Sequence, residues 1–274
     1  MNPNTRSTLA GRGLLVVFMV ATLIPFVTIF STALQPQGSI PTGVSWPSDP
    51  QWHNFVDAFQ VANLGPLLGS SLLIVLGVVP ISLLFAAFAG YGLAQLKVPF
   101  AGALFLVFVA GLTIPFESLI TPLYYQMQEL GLLNTRWAII LPLIALFMPF
   151  GVFWMRAHFQ TVPVELSEAA ALDGAGPWGA FRRIHLPLAV PALSSLAILL
   201  FLWTWNQFIL AIVMVDDPLK RTMAGALGAF QGRYGTDIVL LSAGALLIMA
   251  PTIAVFLLFQ RQFSQALLQG AVKG

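Results

Sequence analysis

Two stretches of this sequence concentrate the side chains that could do chemistry. Residues 168–187, EAAALDGAGPWGAFRRIHLP, carry acids, arginines and a histidine around a glycine-rich turn, between segments with almost no charge. Residues 203–207, WTWNQ, place two indole rings beside two amides. Such a mixture suits a sugar, whose apolar face stacks on aromatic rings while its hydroxyls form hydrogen bonds. Polar and aromatic side chains also hold membrane helices together, so a packing role for residues 203–207 stays open.

The sequence lacks the usual signatures of catalytic and metal sites. No lysine follows a glycine as a phosphate-binding loop requires, and neither a His-Glu-x-x-His helix nor a Gly-x-Ser-x-Gly elbow occurs. His53, His158 and His185 are widely spaced, and we expect them to be solvated rather than metal ligands. The chain has no cysteine, which excludes thiol catalysis and Cys-ligated metals. We therefore expect no enzyme activity, cofactor or metal on this chain.

The composition indicates an integral membrane protein. The chain of 274 residues is 58% hydrophobic and 8% charged, with a mean hydropathy of +0.88, whereas roughly a quarter of the residues of soluble domains are charged. A bilayer core of about 30 Å needs about 20 helical residues. Six transmembrane helices are predicted in an all-α fold, near residues 14–34, 66–95, 100–128, 137–157, 188–214 and 238–261. We expect a single transmembrane domain over residues 1–274.

The distribution of basic residues predicts the orientation of these spans. Six spans place both termini on one side, and with cytoplasmic termini the inner segments carry eight of the 12 Lys and Arg residues. This excess follows the positive-inside rule, and no basic cluster is large enough for nucleic acid. Residues 158–187 then form a large cytoplasmic insert, and residues 35–65 form the longest outer loop, whose Trp46 and Trp52 suit the membrane interface. We interpret residues 14–34 as an uncleaved span because the apolar run is too long for a signal core.

The insert is expected to form two short helices outside the bilayer. Thr161 can cap the first helix, which would have Pro163 in its first turn and end at Gly174 in a left-handed conformation. Pro177 is expected to start the second helix, and Pro187 to stop it before the fifth span. An insert of this length exceeds what neighbouring helices need for a connection. A cytoplasmic partner is therefore expected to dock here, although a solvated connecting loop is the simpler alternative.

The spacing within the insert resembles a family signature. The pattern begins with Glu168-Ala169-Ala170, and Gly174 follows after three residues. Ile184 comes after nine further residues, and Leu186-Pro187 after one more residue. This pattern is similar to the complete EAA signature of the membrane subunits of bacterial ABC importers. Further motifs resemble the second permease subunit of maltose-type carbohydrate importers: GYGLA at 90–94, TPLY at 121–124, LGL at 130–132, PVEL at 163–166 and GAVKG at 270–274. One departure is Ser70-Ser71-Leu72, where the family often has Asn-Ser-Leu, so the polar contact of that Asn stays open.

The resemblance implies a fold, a function and a set of partners. It implies the ABC type I importer permease fold and a permease subunit that forms half of the pathway of an ATP-driven importer of sugars or sugar derivatives. The implied partners are a second homologous permease, two copies of an ABC ATPase that hold ATP and Mg, and an extracytoplasmic solute-binding protein, at the bacterial cytoplasmic membrane. The implied ATPase-coupling residues are Glu168, Ala169, Ala170, Leu172, Asp173, Gly174, Ile184, Leu186 and Pro187.

Polar and aromatic residues within the spans are candidates for the substrate pathway. They are Glu117, Tyr124, Trp203, Trp205, Asn206 and Gln207, and Tyr125 and Gln126 are weaker candidates of the same kind. Glu117 is the one acid well inside a predicted span, where a central carboxylate costs about 2.5–3.5 kcal/mol. A count from Phe100 at about 1.5 Å per residue places it about 25 Å along the span, toward the outer surface. An interfacial carboxylate is therefore as well supported as a pathway residue.

Two other functional classes stay open at the level of sequence. A secondary transporter would be driven by an ion gradient and should contain paired acids within its spans, but only Glu117 is present. A non-transporting membrane scaffold would show no response to a solute. Neither alternative explains the EAA-like spacing, and the sequence does not identify the solute.

Overall fold

Helices make up most of the described chain. The computed structural model describes residues 3–41, 43, 45–232 and 235–271, with side chains described for 11–41, 43, 45–230 and 236–260. The long helices are α1 (Pro3–Ala33), α3 (Leu64–Gln95), α6 (Trp137–Phe159), α9 (Leu186–Trp205) and α11 (Ile238–Ala271). The shorter helices are α2 (Asn54–Val61), α4 (Ala101–Gly111), α5 (Phe116–Glu129), α7 (Val164–Leu172), α8 (Pro177–Ala180) and α10 (Ile209–Met214). Two strands of two residues each, β1 (Gln231–Gly232) and β2 (Gly235–Thr236), pair antiparallel.

The predicted spans correspond to long apolar helices. Within the described residues, five helical segments are long and apolar enough to cross a bilayer, and α4 with α5 would supply a sixth span. The prediction of an all-α membrane fold is therefore confirmed. The expectation of a single domain over residues 1–274 stays a prediction.

The third predicted span, residues 100–128, is wrong as one continuous helix. The chain breaks between α4 and α5, whose axes differ in direction by 98°. Pro115 precedes α5 with an extended ψ of 129°, and a proline supplies no N–H group to continue the helix before it. The residue before a proline is also driven out of helical geometry. The break therefore follows from the Pro115 ring.

The fifth predicted span, residues 188–214, is wrong at both ends. Its helix begins earlier, because α8 continues through a π turn at Phe181–His185 into α9 without a stop at Pro187. Leu186 N–H donates to Phe181 O, which is the i to i−5 bond of a π turn. The helix ends at Trp205, and Asn206 after it has left helical geometry with a ψ of 6°. The side-chain amide of Asn206 donates to Leu202 O at 2.8 Å.

The chain divides into two compact units, and the first comprises residues 1–65 and 226–251. In this unit α1 is exposed along residues 11–27 and becomes buried only at its C-terminal end, residues 31–34. The buried Asn54 amide fastens that end, since Nδ2 donates to Ala33 O at 2.9 Å and to Gln35 O at 2.8 Å. Trp46 and Trp52 are 62% and 59% exposed, which fits the expected place at a membrane interface.

The second unit comprises residues 66–225 and 252–274 and contains the main apolar core. In this unit α6 packs against α4 and α9. It also approaches α3 closely at small residues, as shown by Ala86 opposite Gly151 and by Gly90 opposite Met155. A Cβ atom on Gly90 would lie 2.6 Å from Met155 Cβ and 2.8 Å from the Arg156 backbone nitrogen. Small residues that let two backbones approach are typical of membrane helix packing.

We predict that Gly90→Ala destabilises the protein while Gly92→Ala does not. The added methyl group at residue 90 forces α3 away from the α6 backbone, at a cost of about 1–3 kcal/mol typical of overpacking. Gly92 lies in the same helix with nothing within 4 Å of its Cβ position. Thermal unfolding of the purified protein in detergent measures both variants. Equal midpoints for the two variants would contradict the close approach at Gly90.

Candidate coupling surface and transport cavity

The helix α7 and the turn after it form the exposed elbow of the predicted insert. Pro163 precedes α7 in an extended conformation with ψ of 134°. The expected cap at Thr161 is wrong, because its Oγ1 donates back to His158 O at 2.8 Å. Gly174 has a φ of +77°, as predicted for the residue that ends this helix. Ala175 N–H donates to Ala170 O and Gly174 N–H to Ala171 O, the paired bonds of a Schellman motif.

The first half of the EAA-like pattern presents an open surface. Its exposed members are Glu168, Ala169, Leu172, Asp173 and Gly174, while Ala170 is buried. Leu172 is 89% exposed at the tip of α7. Val164 and Leu166 of the same helix are exposed as well, and a group of exposed apolar side chains is typical of an interaction surface.

The second half of the pattern lies elsewhere along the chain. Ile184 belongs to the π turn, and Leu186 and Pro187 open α9. Ile184 and Leu186 are half-buried, and Leu186 packs against the apolar core. Pro187 is exposed. These three residues therefore shape the helix behind the elbow, whereas residues 168–174 form its outer surface.

A polar cluster around the buried His185 attaches the elbow to the transmembrane helices. Ser167 Oγ lies 2.8 Å from His185 Nε2 and 3.3 Å from Gln95 Oε1. His185 is fully buried, so the expectation that this histidine is solvated is wrong. The Tyr91 hydroxyl donates to Pro177 O at 3.0 Å. Sequence patterns missed this cluster because its members lie on three separated segments and occupy no fixed motif position.

A cavity of about 1040 Å³ opens within the second unit. Apolar side chains of α5, α6 and the 112–115 break line most of it. The aromatic and polar lining residues are Phe116, Tyr125, Gln126, Glu129, Phe147, Phe150, Trp203 and Gln207. The Trp203 ring packs at 5.0 Å from Phe150 and at 5.7 Å from Phe147 between ring centroids. Aromatic walls with a few polar groups are the usual make-up of a small-molecule site.

The structure separates the predicted pathway residues into two groups. Trp203 and Gln207 line the cavity. Trp205 is 1% exposed and stacks on Phe201 at 5.5 Å, and the Asn206 amide is bound to its own helix.

The remaining two candidates also lie outside the cavity lining. Glu117 is exposed in the first turn of α5, where the helix dipole favours a carboxylate. Tyr124 is half-buried against Tyr125 at 5.8 Å. The weaker candidates Tyr125 and Gln126 do line the cavity. The sequence missed Glu129, whose spacing on one face of an α-helix with Leu119, Pro122 and Gln126 was the available signal.

Two serines replace the Asn-Ser pair expected at the start of the second span. Ser70 Oγ accepts a hydrogen bond from Arg136 Nε at 2.8 Å. Ser71 Oγ accepts one from Met223 N–H at 2.7 Å. Both serines are 1% exposed. Each hydroxyl thus joins α3 to a connecting segment within the second unit, so this position retains a polar contact without Asn.

Comparison with protein families shows the family to which this chain belongs. The family model that describes the inner membrane component of binding-protein-dependent transport systems matches residues 82–269. The chain belongs to this family. It is therefore a multi-pass membrane protein and a transport component rather than an enzyme. The prediction of a permease subunit of an ABC importer is confirmed, which argues against a secondary transporter and a scaffold.

Members of this permease family match nearly the whole chain. The diacetylchitobiose uptake system permease NgcG of Streptomyces coelicolor is 31% identical over 265 residues, covering 96% of this chain and 88% of its own. The trehalose transport system permease SugB of Mycobacterium tuberculosis is 34% identical over 260 residues, covering 92% and 93%. A crystal structure of a bacterial ABC transporter that imports the acidic polysaccharide alginate matches with a TM-score of 0.79 at 19% identity, over 96% of this chain and 99% of that chain. This last match supports the importer permease fold.

We predict that Gly174→Ala loosens the elbow of this permease and that Gly176→Ala does not. A left-handed conformation costs a residue with Cβ roughly 1–2 kcal/mol, whereas Gly176 has an ordinary φ of −68°. Neither Cβ position has an atom within 4 Å, so the pair separates backbone strain from crowding. Amide hydrogen exchange at residues 170–176 measures the effect, with faster exchange expected only in Gly174→Ala. Identical exchange in both variants would argue against a strained turn.

Proposed function

We propose that this permease carries sugars or sugar derivatives through the cavity beside Trp203. The observation that supports this cargo is the lining itself: packed aromatic side chains with Gln126 and Gln207 among them. An indole ring can cover the apolar face of a sugar, and an amide can both donate to and accept from its hydroxyls. The volume of about 1040 Å³ is at the upper end of typical ligand pockets, about 300–1,000 Å³. A di- or oligosaccharide fits that size.

Named relatives support the same class of solute. NgcG is a diacetylchitobiose permease, SugB a trehalose permease, and AraQ of Halalkalibacterium halodurans, 37% identical over 229 residues, an arabinooligosaccharide permease. These solutes differ in size and in substituents but all present hydroxyls around apolar ring faces. We infer that this subunit handles a member of that chemical class.

The exposed elbow is the proposed contact with the ATPase. Glu168 to Gly174 project from the second unit with Leu172 uncovered, and Ser167 ties the same helix to the transmembrane region. A cleft on an ATPase subunit would cover the apolar tip and receive the exposed acids. ATP and Mg would be held by that partner, and closure of an ATPase pair would displace α7 and change the side on which the cavity opens.

The remaining partners follow from the resemblance to type I importers. A second homologous permease would supply the other half of the pathway, two copies of an ABC ATPase would bind the two elbows, and an extracytoplasmic binding protein would deliver the solute. We place both termini and the elbow in the cytoplasm, because eight of the 12 basic residues then lie on the inner side. The bacterial cytoplasmic membrane is the proposed location.

We predict that Leu172→Glu prevents assembly with the ATPase, whereas Leu219→Glu does not. The glutamate would place an unpaired charge into the partner's apolar cleft, and we expect a loss of about tenfold in co-purified ATPase, equivalent to about 1.4 kcal/mol. Leu219 is 44% exposed on the opposite, outer side of the predicted topology and controls for membrane insertion. Affinity purification of the tagged permease measures both. Full ATPase recovery with Leu172→Glu would remove the proposed contact.

We predict that Trp203→Ala weakens the response to solute, whereas Trp137→Ala leaves it intact. Loss of one stacking ring removes about 0.5–1.5 kcal/mol, so the solute concentration for half-maximal ATPase stimulation should rise about two- to tenfold. Trp137 is 50% exposed and lies outside the cavity lining, which makes it a size-matched control. Trehalose and diacetylchitobiose are the first sugars to test with the reconstituted complex. An unchanged response in Trp203→Ala would assign this ring to helix packing.

A further inference from the structure

His185 lies at the meeting point of several elements of the second unit. Its ring centroid is 4.9 Å from that of Tyr91 on α3 and 6.1 Å from that of Phe159 at the end of α6. Its Nε2 contacts Ser167 on α7 at 2.8 Å. The residue itself ends the π turn that leads into α9. One fully buried side chain therefore touches α3, α6 and α7 while its backbone belongs to the start of α9.

The hydrogen bonds around His185 run in one direction. Gln95 Nε2 donates to Phe159 O at 2.6 Å, so Gln95 Oε1 faces Ser167 as an acceptor. The single Ser167 hydroxyl proton then points to Gln95, and His185 Nε2 must carry the hydrogen that reaches Ser167 Oγ. The chain of bonds thus runs from His185 through Ser167 and Gln95 to the Phe159 carbonyl. A connected, partly buried network of this kind holds its members in a defined arrangement.

The helix α7 has few other attachments within the described structure. Most of its side chains are exposed, and the side-chain hydrogen bonds between α7 and other elements both involve Ser167. Ala170 is its one buried residue. Besides the chain connection to α6 and the packing on α8, Ser167 therefore provides the polar link through which a force on α7 reaches the transmembrane helices.

The π turn gives the receiving helix a place where it can adjust. Leu186 N–H bonds to Phe181 O, one residue further back than in an α-helix. Pro187 follows directly and supplies no N–H group. Single π turns within α-helices often occur at functional sites. His185 thus joins α7 to the least regular turn of the helix that continues past Trp203.

We propose that His185 is a positioning residue that transmits the displacement of α7 to α3 and α9. This proposal rests on the coupling role of α7 proposed above, and it assigns the transmission to the hydrogen bond between His185 Nε2 and Ser167 Oγ. The His185 ring packs the junction, and its Nε2–H provides the link that moves with α7. Loss of the link should leave ATP hydrolysis running without the matching change at the cavity.

Two substitutions at His185 separate packing from the hydrogen bond. His185→Phe keeps an aromatic ring but removes the donor, whereas His185→Gln keeps a donor at the ε position but removes the ring. Ser167→Ala removes the same bond from the other side. Ser194→Ala is the matched control, because the exposed Ser194 Oγ binds Val190 O within its own helix. The wild-type chain has no cysteine, so a single cysteine at Ala145 in the cavity lining can carry a bimane fluorophore.

The test uses the permease purified with its native partners and reconstituted in liposomes. ATP with vanadate is the probe, and the bimane spectral shift on trapping is compared with the rate of ATP hydrolysis. We expect His185→Phe and Ser167→Ala to reduce the spectral shift about fivefold or more while ATP hydrolysis continues. A factor of about five is the lower bound of the coupling usually found between two sites. The double variant should show no further loss. His185→Gln and Ser194→Ala should keep the wild-type shift.

The possible results distinguish this inference from the coupling role on which it rests. Crosslinking of a cysteine at Ala171 to the ATPase reports whether α7 contacts that subunit at all; absence of the crosslink in a chain that carries only this cysteine substitution overturns both proposals. Crosslinking with a full bimane shift in His185→Phe and Ser167→Ala overturns only the role of His185. The role of His185 is also overturned if these variants give less complex, or a less stable complex, while each assembled complex shows the full bimane shift. The hydrogen bond between His185 and Ser167 would then only stabilise the fold. A wild-type complex that crosslinks but shows no shift contradicts transmission to the cavity.

Discussion

The close approach of α3 to α6 at small residues is the packing constraint on which the two functional regions depend. With Gly90 against the Met155–Arg156 backbone, α6 lies in a fixed register beside α3. The C-terminal end of α6 then brings Phe159 to the His185 cluster, and its middle brings Phe147 and Phe150 to the cavity. Phe147 and Phe159 are about 18 Å apart along the helix at about 1.5 Å per residue. A bulky side chain at the contact would shift both regions together.

The sequence predicted those features that depend on local rules. The lengths of apolar runs located the membrane helices, and the positive φ of Gly174 followed from the need to end α7 tightly. Local rules failed where tertiary contacts decide. Pro187 does not stop its helix, because the π turn before it accommodates a missing N–H. The burial of His185 could not be predicted, since it depends on Tyr91 and Phe159, which are distant in sequence.

The candidate site divides in the same way. The EAA-like spacing marked the exposed elbow directly, because the proposed partner surface needs particular residues at particular positions of one helix. The cavity was found only in part: Trp203 and Gln207 line it, but the chain leaves the helix after Trp205, which turns Asn206 away from the lining. Pro115 and the 98° change in direction bring the side chains of α5 to the cavity. Tyr125, Gln126 and Glu129 therefore line the cavity, whereas Glu117 lies outside its lining.

The exposed length of α1 has an evolutionary consequence. Between residues 11 and 27 none of its side chains is buried by the part of the chain that the structure describes, and Asn54 holds only the far end of the helix. No neighbour among those described residues therefore selects the shape of a side chain there. The remaining constraint on these side chains is that they stay soluble in hydrocarbon or fit the surface of an adjoining subunit. Leu, Ile, Val, Phe and Met should interchange freely along this stretch during sequence drift, while Asn54 and the residues it fastens should change slowly.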